Sequence, residues 1–297
     1  MKKYRSYLLV VLGASLWGLI GIFNRGLGMC GVSVMNRVTI RNFLAFVLLT
    51  AVFAAARRSV FHIRVKDLPI FFGTGVVSVL SLAWCYFSCQ QECSLAVAGI
   101  LLYLAPSIVV LFSAVLWKEP LTGRKITALL LALVGCALVS GIAGGSLTVT
   151  VRGLLLGIGA GFSYAMYTVF AHYGLRKYDS YTVIYWTFVF AGIGSLAFLN
   201  WTELQAALPD GRTWLYMAGL VVIATVLPYL FYTKGLEGTE EGMASIMSNV
   251  EPVVAAVSGA VLLGEKPDLW TAAGIVCVLG SVILLAGGKK SGAEQRA

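Results

Sequence analysis

Charge is what this chain lacks. Of its 297 residues, 12% are Asp, Glu, Lys or Arg, while 59% are hydrophobic. A soluble globular domain carries about 25% charged residues, so the chain cannot cover a water-facing surface of its size. Histidine is nearly missing: the 2 present, His62 and His172, lie far apart. No histidine, cysteine or acid cluster has metal-ligand spacing, so neither a metal nor another cofactor is expected. There is no Gly-x-x-x-x-Gly-Lys loop, which excludes ATP cradled by a phosphate-binding turn. No small-x-small cleavage site follows the first apolar run, which ends at Asn24 and Arg25, so no removable leader is expected. The 6 cysteines are scattered. Cys85, Cys89 and Cys93 recur every fourth residue and read as small packing groups on one helix face. Cys30 and Cys93 both fall near one membrane surface, and a disulfide between them is left open.

What the chain has is long apolar runs. A spanning helix needs about 20 apolar residues, and ten segments qualify: 7–23, 34–56, 69–88, 94–117, 125–142, 152–171, 182–200, 213–233, 240–263 and 269–287. The runs are too long for strands and do not alternate. The expected fold class is an all-α integral membrane protein with ten transmembrane helices and the lipid bilayer as its solvent. Lys and Arg set the orientation. With ten spans, the N-terminus, the even-numbered loops and the C-terminus share a side that holds sixteen of the 22 Lys and Arg. The remaining six are Arg25, Arg37, Arg41, Arg152, Arg212 and Lys266. The bias predicts a multi-pass protein of the cell (inner or plasma) membrane with both termini cytoplasmic. It also accounts for the net charge of +9 without a nucleic-acid partner.

The two halves resemble each other at an offset of 146 residues. Leu8, Leu9, Gly13 and Ala14 reappear as Leu154, Leu155, Gly159 and Ala160, and Pro106, Ala114, Val115, Leu116 and Glu119 reappear as Pro252, Ala260, Val261, Leu262 and Glu265. The units are read as 1–146 and 147–297, five spans each, joined by a Gly/Ser/Thr turn region near Gly141–Thr150. A unit with an odd number of spans starts and ends on opposite sides, so its copy enters the membrane upside down. Inverted repeats of this kind build secondary transporters, whose solute site lies at the midplane between the halves.

The ninth span carries the sharpest pattern. Wound at 100° per residue, one arc of Gly242–Ala260 collects small and polar residues, among them Ser245, Ser248, Asn249, Glu251 and Pro252. The opposite arc holds Met243, Ile246, Met247, Val250, Val253, Val254 and Val257, which are expected to meet lipid. Glu251 lies near the middle of the span. An ionisable group at that depth is expensive and is by default a functional candidate. Pro252 removes a backbone donor and is expected to free the carbonyl of Ser248. Such a surface suits an amine-bearing solute or a transferable proton; the plainer reading is a carboxylate that pins helices together.

The fourth span is the repeat mate of the ninth. It keeps the proline, Pro106, but has Ala105 for the glutamate and Tyr103 for Asn249, so an aromatic hydroxyl would face an acid and an amide. Trp17, Asn24, Trp84, Tyr86, Tyr164, Tyr167, Pro228 and Tyr232 could line the same space; for each, packing or a place in the interfacial aromatic belt is the competing role. Arg41 lies two turns inside the second span and is expected to snorkel to the surface rather than to meet an anion. Gly157 and Gly161 allow close helix approach. Glu119 and Glu265 read as helix-end or loop residues.

These pieces resemble the EamA-type members of the drug/metabolite transporter superfamily over nearly the whole chain. The matching segments are Gly13-Ala14-Ser15-Leu16-Trp17-Gly18, Arg41-Asn42-Phe43-Leu44-Ala45, Leu116-Trp117-Lys118-Glu119, Glu251-Pro252-Val253 and Leu262-Leu263-Gly264-Glu265. The resemblance implies two inverted five-helix halves around a central cavity lined by helices 1, 3, 4, 6, 8 and 9. It further implies a small-molecule solute, such as an amino acid, often moved outward. The expectation is a secondary transporter working by alternating access, not an enzyme, with Glu251 as a candidate proton carrier. Two other classes compete. A membrane-embedded enzyme acting on lipid-linked substrates would need clustered acids, histidines or a nucleophile, and a non-transporting scaffold usually carries an added soluble domain. Neither feature is in the sequence.

Overall fold

The structure, a computed structural model, describes residues 2–141, 149–264 and 268–286. The expected boundary at 146/147, together with Glu265 and Lys266, lies outside the described residues. Apart from short loops and turns, the described residues are helical. The helices are α1 (Tyr4–Met29), α2 (Val34–Ala56), α3 (Val65–Glu92), α4 (Val97–Leu116), α5 (Gly123–Val139), α6 (Val151–Leu175), α7 (Ser180–Phe198), α8 (Gly211–Leu236), α9 (Glu241–Leu262) and α10 (Leu269–Ala286). Nine are at least 18 residues long and apolar enough to cross a bilayer. The other, α5, has 17 residues and reaches about 26 Å at 1.5 Å per residue.

Lipid contains no water to satisfy the orphan donors at helix ends, so side chains must do it. Ser33, Ser94, Thr122, Thr150 and Asp179 each cap the helix that follows by accepting from a backbone N–H three residues on. The outer surface is apolar, with Leu111, Leu130, Leu155, Ile193, Val261, Val276 and Ile283 exposed. Trp201, Trp214 and Trp270 are exposed near the starts of α8 and α10, as expected of an interfacial belt.

Side-chain contacts fix the direction of each helix. At one face, the end of α2 meets the start of α7 through Arg57 and Asp179. The start of α3 meets the α6–α7 turn through Asp67 and Lys177. There too the end of α6 meets the start of α9 through His172 and Glu241, and the start of α5 meets the end of α10 through Arg124 and the Leu284 carbonyl. Ser6 of α1 faces Gly235 and Gly238 at the end of α8. The start of α1 therefore lies on the same side as the end of α6, and the second repeat is inverted. This is the side to which the sequence assigns most of the Lys and Arg; it is the basic face below.

The offset of 146 also relates backbone irregularities. Wide π-helical turns occupy Gly73–Leu80 in α3 and Gly219–Val226 in α8. Lys118 and Gly264, which follow α4 and α9, both take left-handed φ, 56° and 70°. Breaks interrupt α4 at Tyr103–Leu104 and α9 at Ser248–Asn249. One break has no mate: α1 is interrupted at Gly18–Leu19, whereas α6 runs unbroken through Tyr164.

Two expectations for α9 change. Its first half is enclosed by α1, α4, α5, α6 and α10, so Ile246, Met247, Val250 and Val253 are buried in protein instead of facing lipid. Only the second half of that arc, at Val257, is exposed. The Ser248 carbonyl is not free either, because it accepts the Glu251 backbone N–H at 3.0 Å. The cysteines are unpaired, Cys30 and Cys93 included.

Candidate solute site

The break in α1 brings its backbone against α9. A Cβ placed on Gly18 would stand 2.6 Å from the Glu251 carbonyl oxygen and 3.0 Å from the Ala255 nitrogen. The two interrupted helices touch at the midplane, and Glu251, eleventh of the 22 residues of α9, projects beside this contact into a cavity of about 140 Å³.

Both repeats build the wall. The first supplies Trp17, Ile20 and Asn24 from α1, Arg37, Val38 and Arg41 from α2, Val79, Leu82, Ala83, Tyr86 and Phe87 from α3, and Leu102 from α4. The second supplies Tyr164, Tyr229 and Glu251. Asn24 and Arg37 stand near the ends of α1 and α2 that lie away from the basic face. The cavity therefore runs from the midplane toward the face opposite the basic one.

In the other direction the path is filled. Tyr167 pairs with Thr233, and Thr168 with Tyr232 at 2.9 Å, linking α6 to α8. Closer to the basic face, Lys125 bonds Glu119 at 2.6 Å and Glu240 at 3.3 Å. Glu119 also accepts the Glu241 backbone N–H at 3.1 Å. Glu241 bonds His172, whose ring stacks on Trp117 at 4.0 Å between centroids. Lys118 turns the chain through its left-handed conformation just before Glu119. Glu119 thus carries the structural duty expected of it, in a seal joining α4 and α5 of the first repeat to α6 and α9 of the second.

The polar groups on the cavity wall are sparsely satisfied. Tyr164 donates to Glu251 Oε2 at 2.8 Å. No Lys or Arg among the described residues comes within the 4.0 Å of an ion pair with Glu251. Arg41 lies within charge–charge range of both Glu251 and Tyr229, so it does not snorkel to the surface. Its position two turns into α2 puts it beside the chamber, and the chamber supplies the polar surroundings a guanidinium requires. The Arg41 Nε and the Trp17 Nε1 are buried without a hydrogen-bond partner among the described residues. A buried unmet donor costs about 1–3 kcal/mol. Arg37, by contrast, is committed to the Val32 and Asn24 carbonyls at 2.9 and 2.8 Å. Trp17 stands edge-on to Tyr229 and Tyr164, with centroids 5.1 and 6.3 Å away.

Of the eleven residues singled out from the sequence for this site, Trp17, Tyr86, Tyr164 and Glu251 line the cavity. Tyr232 is buried below it, bonded to Thr168. Ser245, Ser248 and Asn249 are buried inside α9 packing, and the Ser248 hydroxyl donates to the Ser245 carbonyl. Tyr103 packs against Cys136, Val253 and Val278. Pro106 and Pro252 sit in the first turns of the half-helices that follow the α4 and α9 breaks, where a missing N–H costs least. Tyr229 and Arg37 were not singled out. Tyr229 follows Pro228 one turn before Tyr232, but nothing in the sequence says which tyrosine of that helix faces inward.

The comparisons with known proteins agree with this architecture. The model of the EamA-like transporter family matches residues 4–141 and again residues 151–287. An uncharacterized transporter of Archaeoglobus fulgidus is 30% identical over 280 residues, covering 93% of this chain and 94% of the relative. The uncharacterized inner membrane transporter YicL of Salmonella typhimurium is 27% identical over 295 residues, 95% of each chain. A solved crystal structure superposes with a TM-score of 0.77 over 94% of this chain and 95% of its own, at 20% identity, and shares the fold. Two family matches, one per inverted half, together with a relative that is nearly coextensive, place the chain in the EamA-like transporter family, as a multi-pass membrane transporter.

Proposed function

We propose that the protein is a secondary transporter of small metabolites such as amino acids, working by alternating access. The observation that carries the reading is a midplane cavity walled by both repeats, approached from one face and sealed toward the other. In an alternating-access cycle the two halves rock about such a site, exposing it to one side at a time. The basic face is taken as cytoplasmic on the positive-inside rule, which puts both termini there and makes the present state outward-facing in the cell membrane. Outward movement of solute is the direction that the family resemblance favours. Glu251 is the group proposed to carry a proton, because it is the acid that stands at mid-span on the cavity wall.

The direct test is flux into proteoliposomes that contain only this protein. Amino acids preloaded inside should drive counterflow of labelled amino acids, and empty liposomes should show none. Absence of counterflow for every amino acid and small metabolite tried would overturn the reading, and with it the choice of transporter over scaffold or enzyme.

A further inference from the structure

We infer that Arg41 forms an anion half-site opposed to the carboxylate of Glu251, with the Trp17 indole as a further unmet donor, so that the transported solute is a small zwitterion. Its carboxylate rests on Arg41 and its ammonium on Glu251. The inference deepens the transporter reading and rests on it.

Four observations support the assignment. Arg41 and Glu251 come from different repeats, line one cavity and form no ion pair. The Arg41 Nε and the Trp17 Nε1 are buried donors without partners, whereas the other cavity arginine, Arg37, is bound to backbone carbonyls. Arginine presents a rigid fork of donors that matches a carboxylate, and offers no acceptor. Finally, at about 140 Å³ the cavity falls below the roughly 300–1,000 Å³ of drug-sized pockets, which restricts the solute to a small one.

Charge decides between solute classes. A simple amine would answer Glu251 but bring a like charge toward Arg41. A simple carboxylate would answer Arg41 but approach Glu251. A neutral solute leaves both charges unmet in a low-dielectric chamber, where an unpaired charge is costly. Only an amphoteric solute satisfies both walls, and the apolar stretch of Val38, Val79, Leu82 and Ala83 receives its side group. Because the half-sites belong to opposite repeats, the bound zwitterion bridges the parts that move.

The test uses thermal stabilisation of the detergent-purified full chain by matched sets of probes. Each set contains an L-amino acid, the amine left by removing its carboxylate, and the acid left by removing its amine: valine, isobutylamine and isovalerate; leucine, isoamylamine and 4-methylpentanoate; phenylalanine, phenethylamine and 3-phenylpropanoate. The wild type should bind at least one zwitterion tenfold or more tightly than its amine and its acid. Arg41→Gln should erase the preference over the amine, Arg41→Lys should keep part of it, and Glu251→Gln should erase the preference over the acid. A wild type that binds amine and zwitterion alike, or no zwitterion at all, overturns the inference. So does an Arg41→Gln protein that elutes as a monodisperse peak and retains the full preference. Should Arg41→Gln fail to fold, the Arg41→Lys and Glu251→Gln proteins carry the same decision. Zwitterion binding with these preferences but no counterflow would strike at the transporter reading instead and leave the half-sites standing.

Discussion

Lys125 reaches Glu119 at 2.6 Å with side chains only 3% and 9% exposed, and the pair is braced by the Glu241 backbone and the Glu240 side chain of the other repeat. An ion pair this dry is held by mutual compensation: each charge would be expensive alone. Its position, between the solute cavity and the basic face, makes it part of the closure that defines the present state.

Lys125→Met should therefore destabilise this state. Removing one partner of a buried pair typically costs about 3–5 kcal/mol, because the other charge is left uncompensated. The thermal midpoint of the purified protein should fall, and the Lys125→Met/Glu119→Gln double variant should recover much of the loss, since both charges are then gone. A double variant no better than the single one would show that the two side chains do not act as a pair.

Glu251→Gln keeps the shape of the side chain and its capacity to accept from Tyr164, but it cannot pick up and release a proton. Uptake driven by a pH gradient into proteoliposomes should be abolished, while counterflow in the absence of a gradient persists at a reduced rate. Unchanged gradient-driven uptake would remove Glu251 from any coupling role.

The spans and their inversion were legible in the sequence because each follows from a strong physical rule. Apolar runs of membrane length leave no alternative to helices, and Lys and Arg in loops orient them. Glu251 was legible because a carboxylate at mid-span has no cheap resting place. The bulky arc of α9 was misassigned for a definite reason. A helical wheel separates large from small residues but does not say what lies opposite, and the first half of α9 turns out to be surrounded by five other helices. Arg41 illustrates the same limit: its long stem permits either snorkelling or facing a chamber, and only the tertiary arrangement chooses. Nor does the pattern around Gly18 announce a break, since Trp17, Leu19 and Ile20 are as apolar as the rest of the span.

That break makes Gly18 a sensitive position. A methyl group there would meet the Glu251 carbonyl oxygen at 2.6 Å and the Val254 Cβ at 2.8 Å. The oxygen belongs to a helix backbone and cannot swing aside, so α1 and α9 must separate. Overpacking of this kind costs about 1–3 kcal/mol. Gly18→Ala should lower the thermal midpoint and, because Glu251 is displaced with its backbone, should reduce counterflow more than a lipid-facing control such as Val276→Ala does. Equal flux in the two variants would show that the close contact has no part in holding the site.

Acid stability should be governed in part by Glu203, in the short helix Trp201–Ala207 between α7 and α8. Burial pulls its carboxyl upward, but hydrogen bonds from the Ser33 backbone and the Asn36 side chain, with the charge of Arg37 nearby, outweigh this and hold it below its ordinary value. The Asn36 amide donates to it at 2.8 Å, so the carboxylate ties the start of α2 to the second repeat. A carboxyl depressed in the folded state binds its proton more weakly there than in the unfolded chain. Its stabilisation is complete above the unfolded carboxylate value of about 4.3 and is lost as pH falls through the lower folded value. The thermal midpoint of the wild type should therefore drop as pH is taken from about 6 toward about 3, and in Glu203→Gln that drop should be shallower, from a lower starting midpoint at neutral pH. If the two proteins lose stability in parallel over this range, the link between α2 and the short helix does not depend on the charge of Glu203.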